Sequence, residues 1–172
     1  MASAAHLAKR FVGSLRPGGP PAAEEAWVRD QLLAAEHELW RSMSGADRRH
    51  AVGVAHRVEW ALGHEATRPV LAAALLHDVG KVESGLGTYG RVVATLSAKA
   101  AGRDMAGAWR RQRGIARKVG LYLDHDRLGG DLLALAGSDP LTVAWAREHH
   151  LPESEWTVPA PLAKALKAAD DD

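Results

Sequence analysis

The segment from Pro69 to Val79, PVLAAALLHDV, is apolar on every side of a helix until it reaches His77 and Asp78. A helix without a polar face is a buried helix. Whatever this chain folds into must therefore wrap other elements around this segment. The same segment sets a chemical problem at its end. Burying an unpaired carboxylate costs several kcal/mol, so Asp78 calls for a cation or strong donors. The plain alternative leaves His77 and Asp78 at a helix end in water.

The remaining sequence reads as helix as well. Alanine and leucine are abundant, Phe, Tyr and Ile are scarce, and no segment alternates at period two for long. Pro20 and Pro21 predict a first helix running to about Met43, broken by Ser44-Gly45. Asp47 is a cap for a second helix, to about Leu62 and Gly63. Pro69 opens a third, ending at Gly80. Ser84 to Gly90 reads as a glycine-rich flexible loop. Helices follow over 91–101, 105–113, 115–123 and 126–136, the last closed by Gly137. Ser138-Asp139-Pro140 starts a helix to about His150, and Pro161 opens a last one. The expectation is an all-α, single-domain bundle of about seven to nine helices, with residues 1–20 a tail or short helix and 21–172 the helical domain. A chain of 172 residues suffices for one core and not comfortably for two.

Composition excludes several function classes. There is no cysteine, so disulfides, thiolate metal sites and cysteine nucleophiles are ruled out, and any metal must be held by nitrogen and oxygen. A formal net charge of +1 gives no sign of a nucleic-acid-binding surface. No apolar run approaches the ~20 residues of a membrane span. The N-terminus lacks the apolar stretch of a secretory signal, and a cytoplasmic protein is expected.

Helical phase sorts the histidines. His50, Val54 and Val58 lie four apart on one face, widened by Ala51, Ala55 and Leu62, so His50 points inward. His56 is about 240° around the helix from His50 and reads as a surface or packing residue. His6, His37, His64 and Glu59 carry no functional signal. His125 begins a short helix, His149 and His150 end an apolar one, and Asp170, Asp171 and Asp172 close the last. Separate segments thus each bring a metal-binding group to a helix end or an inward face. Imidazole with carboxylate suits Zn, Fe, Mn, Co or Ni.

The order of these groups resembles the HD-domain superfamily of metal-dependent phosphohydrolases. RHAVGVA carries His50, LLHDVGK carries His77 and Asp78, and KAAD carries Asp170. HDVGK, HDRLGGDLL and the doubled HH are further similar to the subgroup that includes the HD-GYP cyclic-dinucleotide phosphodiesterases. The GYP tripeptide itself is replaced by LPESEWTVPAP after Glu148-His149-His150. The small dinucleoside tetraphosphate hydrolases of the superfamily are similar in size and in the order of ligands. The resemblance implies metal ligands at His50, His77, Asp78, His125, His149 or His150, and Asp170, with Asp171 or Asp172 as substitutes for the last. It implies one or two divalent transition metals (Fe, Mn, Zn, Co or Ni, with Mg as a further option), Asp78 bridging two of them, and a metal-activated hydroxide attacking phosphorus.

The implied substrate is a small phosphorylated, nucleotide-like molecule: a cyclic dinucleotide, a dinucleoside polyphosphate or a nucleotide. Lys81, three residues after Asp78, is a candidate catalytic and phosphate-binding cation, weighed against a solvated lysine at a helix end. Arg91 is a candidate phosphate clamp, weighed against a surface arginine. Two alternatives stay open: a di-iron oxygenase on the same fold, and a catalytically silent nucleotide-binding module. A helical scaffold without a ligand would leave the inward His and Asp residues unexplained. The six tryptophans fit either a core or a base-stacking role.

Overall fold

Local capping decides where the helices start and stop. The computed structural model describes residues 18–87, Gly90, Ala94 and 106–171. Among these, α1 spans Ala22–Gln31, α2 Ala34–Ser42, α3 Gly45–Leu62, α4 Arg68–Leu76, α5 Ala106–Arg110, α6 Gly114–Leu123, α7 His125–Leu135, α8 Pro140–Glu148 and α9 Ala160–Asp171. Short 3-10 turns cover Gly63–Glu65, Val79–Ser84 and Glu153–Glu155. No strand occurs among the described residues. The molecule is an all-helical bundle with nine α-helices in the described part.

Three boundaries differ from expectation. The predicted helix from Pro21 to Met43 is two helices, because Leu32 and Leu33 are extended. Nothing in LLAAE breaks a helix by propensity. The new start is closed by Glu36, whose buried carboxylate accepts the Leu33 amide at 2.7 Å. At α3 the cap is Ser44, not Asp47: Ser44 Oγ accepts the Asp47 amide at 3.2 Å. The third predicted helix, to Gly80, ends as α-helix at Leu76 and continues from Val79 as 3-10. The predicted 91–101 helix lies outside the described residues, Ala94 excepted. The glycine loop is described only in part: Ser84 ends the 3-10 turn and Gly85 follows it in the left-handed region at φ +56°.

Every residue of α4 from Val70 to Leu76 is buried. It packs against α3 on one side and α8 on another, while α9 lies on α3 and α7 on α8. Burying each leucine of this helix contributes about 1.5–3 kcal/mol relative to leaving it in water. Trp40 and Trp145 fill the same core, whereas Trp60 is 88% exposed. The 3-10 turn after α4 is wedged between α6 and α7. Its tightest point is Gly80, where a Cβ would overlap the carbonyl oxygen of His125. That close approach sets Asp78 beside the start of α7. No helix of the described residues is long and apolar enough to cross a membrane.

Candidate metal centre

Helix ends from four parts of the chain converge on Asp78. His77 is the C-cap of α4 and Asp78 follows it; both are buried, at 2% and 5% exposure. The reading of the pair as a solvated helix end is therefore excluded. His50 comes from the second turn of α3, its Nε2 3.0 Å from Asp170 Oδ1 near the end of α9. His125 opens α7 and lies with Nε2 3.2 Å from Asp78 Oδ1. His149, the C-cap of α8, has Nε2 3.8 Å from the same oxygen. His77 Nε2 is 3.5 Å from both Asp78 Oδ2 and Asp170 Oδ1. The His150 ring stands 4.0 Å from that of His149 and 5.2 Å from that of His125, centroid to centroid.

These residues form two groups that share Asp78. His50, His77 and Asp78 make one, joined through Asp170, and Asp78, His125, His149 and His150 make the other. Within His50, His77 and Asp78, and within Asp78, His125, His149 and His150, the ligand-type atoms lie within 4.8 Å of one another. All seven residues that the sequence singled out as ligands are thus brought together. Asp171 is not a substitute: it is exposed and paired with Lys167 at 3.0 Å.

The imidazoles are held in a consistent way. His77 Nδ1 donates to the Ala74 carbonyl at 2.9 Å, His125 Nδ1 to that of Tyr122 at 2.7 Å, and His149 Nδ1 to that of Ala146 at 3.0 Å. Each bond sits at a helix end, where carbonyls have lost their intrahelical partners. With the proton on Nδ1, Nε2 carries a lone pair directed into the cluster. In all three residues Nε2 is buried and makes no hydrogen bond. An orphaned buried acceptor is costly. Three of them, oriented by backbone carbonyls around a carboxylate, match the outer-shell arrangement of metal-bound histidine. The donor set is nitrogen and oxygen only, so the residues present fit a divalent ion of the Mn-to-Zn series.

Electrostatics differs across the cluster. Burial favours the neutral acid at Asp78, but Lys81, His77 and His125 outweigh it and hold the carboxyl well below its ordinary range. Asp170 is held far down as well, against its burial, by His77 and His50. Burial pulls His77 down, yet Asp78 and Asp170 win and raise it. His149 has no such support; burial, then His150 and His77, push it well below the ordinary imidazole value.

Lys81 is bonded to Asp78 Oδ2 and lies 6.0 Å from the centre of the Tyr122 ring. Only 12% of its side chain is exposed, which excludes a solvated helix-end lysine. The contact depends on the 3-10 geometry. With three residues per turn, Asp78 and Lys81 eclipse, and the Lys81 amide bonds the Asp78 carbonyl at 3.0 Å. Arg91 lies outside the described residues, as does His6. His56 is where its phase put it, away from the cluster, its ring tilted against Trp27 and paired with Glu24 at 2.7 Å.

Two contributors escaped the sequence. Arg57 donates from Nε and Nη2 to the Ala169 carbonyl at 2.9 and 2.7 Å. It thereby anchors the last turn of α9 one residue before Asp170, and its i+7 spacing from His50 was the one available hint. Glu148 accepts from the Thr157 and Val158 amides at 2.7 and 3.3 Å and so ties down the segment after His149-His150. Compared with protein-family models, curated proteins and solved structures, the chain matches none.

Proposed function

We propose that the protein is a metal-dependent phosphohydrolase of the HD-domain type, acting in the cytoplasm on a phosphate ester or anhydride of a small nucleotide-like molecule. The observation that carries this reading is the set of three buried Nε2 atoms of His77, His125 and His149 that face Asp78 without making a hydrogen bond. The co-location of His50, the His77-Asp78 pair and Asp170, the positions on which the resemblance rests, supports it further. His50, His77, Asp78 and Asp170 would hold one ion, and Asp78, His125, His149 and His150 a second. Such ions supply Lewis acidity and hydroxide at neutral pH, the chemistry that phosphate hydrolysis needs.

The chain's own groups have distinct tasks under this proposal. Asp78 is kept ionised and joins the two groups. The three Nδ1–carbonyl bonds fix ring orientation, so little reorganisation accompanies loading. Lys81 is held charged: burial opposes its charge, but Asp78 and then Tyr122 raise its proton affinity. An ammonium beside the cluster suits a phosphoryl oxygen, and its placement makes Lys81 the first candidate for substrate contact.

The test is elemental analysis of the purified protein, followed by phosphate-release assays on nucleotides, cyclic dinucleotides and dinucleoside polyphosphates with each divalent ion. Metal bound by wild type and lost in Asp78→Ala, with turnover of at least one substrate class, is the expected result. A wild-type protein that takes up no divalent ion would sink the proposal. Tightly bound iron with oxygen uptake and no phosphate release would favour the oxygenase reading instead.

A further inference from the structure

Among the described residues most basic side chains have an ion-pair or hydrogen-bond partner, and the exceptions are concentrated. Arg48 pairs with Glu25, Arg110 and Arg127 with Asp124, Arg147 with Asp131 and Lys167 with Asp171. Arg57 and Arg68 are spent on carbonyls. Among the described residues, Arg111, Arg113, Arg117 and Lys118 form no ion pair or hydrogen bond, and all four are exposed. Apart from Arg29 on α1, no other described lysine or arginine is in that condition. Four uncompensated charges therefore sit within eight residues at the turn into α6, on a chain of formal net charge +1.

That stretch leads into the His/Asp cluster. Lys118 is packed beside the 3-10 turn: a Cβ on Gly85 would lie 4.0 Å from Lys118 Nζ. One helical turn further along the same face of α6 is Tyr122. Its ring stacks on His125 at 5.8 Å and faces Lys81. The exposed cations at the start of α6 are thus joined to the His/Asp cluster through Lys118 and Tyr122 on one face of the helix. An isolated cation on a surface is worth little in water, but several that no carboxylate offsets raise the local potential and attract a multiply charged anion within a Debye length of about 8–10 Å.

We propose that the start of α6 is a second phosphate-binding region, and that the substrate is a small molecule with at least two phosphate groups, one at the His/Asp cluster and another on the Arg117–Lys118 side. This rests on the phosphohydrolase reading for the first phosphate only. Arginine and lysine suit phosphate oxygens, whereas a substrate with one phosphate would leave them unused.

The probes are adenosine 3′,5′-bisphosphate and adenosine 5′-monophosphate, which differ by one phosphate and chelate metal weakly. Their binding is measured by calorimetry at fixed ionic strength on the full-length protein as purified. Wild type should bind the bisphosphate at least tenfold more tightly. The double variant Arg117→Glu/Lys118→Glu should abolish that preference while changing the monophosphate affinity less than threefold. Both positions are exposed and unbonded, so the fold should persist; circular dichroism checks it. Arg29→Glu, a change of the same kind at a remote site, should leave the preference intact.

Equal wild-type affinities, no binding of either compound, or an equal effect of Arg29→Glu would each overturn the proposal. The metal reading stands or falls separately, on the elemental analysis.

Discussion

On the α3–α9 side of Asp78 stand His50, His77 and Asp170; on the α7–α8 side stand His125, His149 and His150. The first side is mixed imidazole and carboxylate, the second is imidazole throughout. The consequence is visible in two rings 5.2 Å apart. His77 and His149 share the same burial and the same kind of backbone hydrogen bond. Yet His77 gains proton affinity from the two carboxylates beside it, while His149, facing His150 and His77, loses it. The neighbours across the cluster, not depth, set the character of each half. Under the metal reading the α3–α9 side compensates more of an ion's charge, and the α7–α8 side offers softer donors.

The largest expected effect comes from the residue the halves share. Asp78→Ala should release metal from both sides and leave Lys81 without its counter-ion, at a cost of about 3–5 kcal/mol. Elemental analysis and denaturant titration read the two consequences; a variant that keeps its full metal complement would show Asp78 is no ligand. Next is Gly80→Ala. The added methyl must displace the start of α7, costing about 3 kcal/mol of overpacking and moving His125 away from Asp78. Metal should then be lost from the α7–α8 side in preference to the other, and equal loss from both would break the distinction.

Arg57→Ala is the converse. It removes the anchor before Asp170, costs about 1.5 kcal/mol and should weaken only the α3–α9 side. Arg57→Lys, retaining one donor, should recover part of the metal affinity. To separate positioning from general destabilisation, Val28→Ala, in the core at α1, should lower the melting temperature without altering metal affinity.

The smallest effect concerns pH, in protein stripped with a chelator. His149 has a folded value below its unfolded one near 6.5, so it stabilises the fold above that value and its contribution is lost as pH falls from about 6.5. His77 has a raised folded value, so its contribution is complete below about 6.5 and is lost as pH rises through the folded value. His149→Gln should flatten the acid-side loss of stability and His77→Gln the alkaline-side loss. If both substitutions shift the profile in the same direction, the two halves are not electrostatically opposed.

Much of the candidate site was legible because its residues lie where helical phase and punctuation are strong. His50 was assigned inward from Val54 and Val58, and both valines are buried. His125 was placed at the start of the helix closed by Gly137, His149 at the end of the one that stops before Pro152, and Asp170 near the end of the one opened by Pro161, and they are there. What could not be read is how tertiary contacts change a helix's winding or its direction. The Leu32-Leu33 break depends on Glu36 capping an amide inside the fold, and the switch to 3-10 after His77 depends on α7 pressing against Gly80.

The sequence by itself determined the helical class, the depth of α4 and the identity of the candidate ligands, because amphipathic period, caps and residue chemistry are local properties. Only the tertiary structure decided which of those ligands meet. The Gly80 approach to His125 and the Arg57 grip on Ala169 join residues whose spacing in the chain carries no record of their distance in space. Hydrogen bonds and close packing act over a few ångströms, and the geometry of the site exists only once the helices have docked.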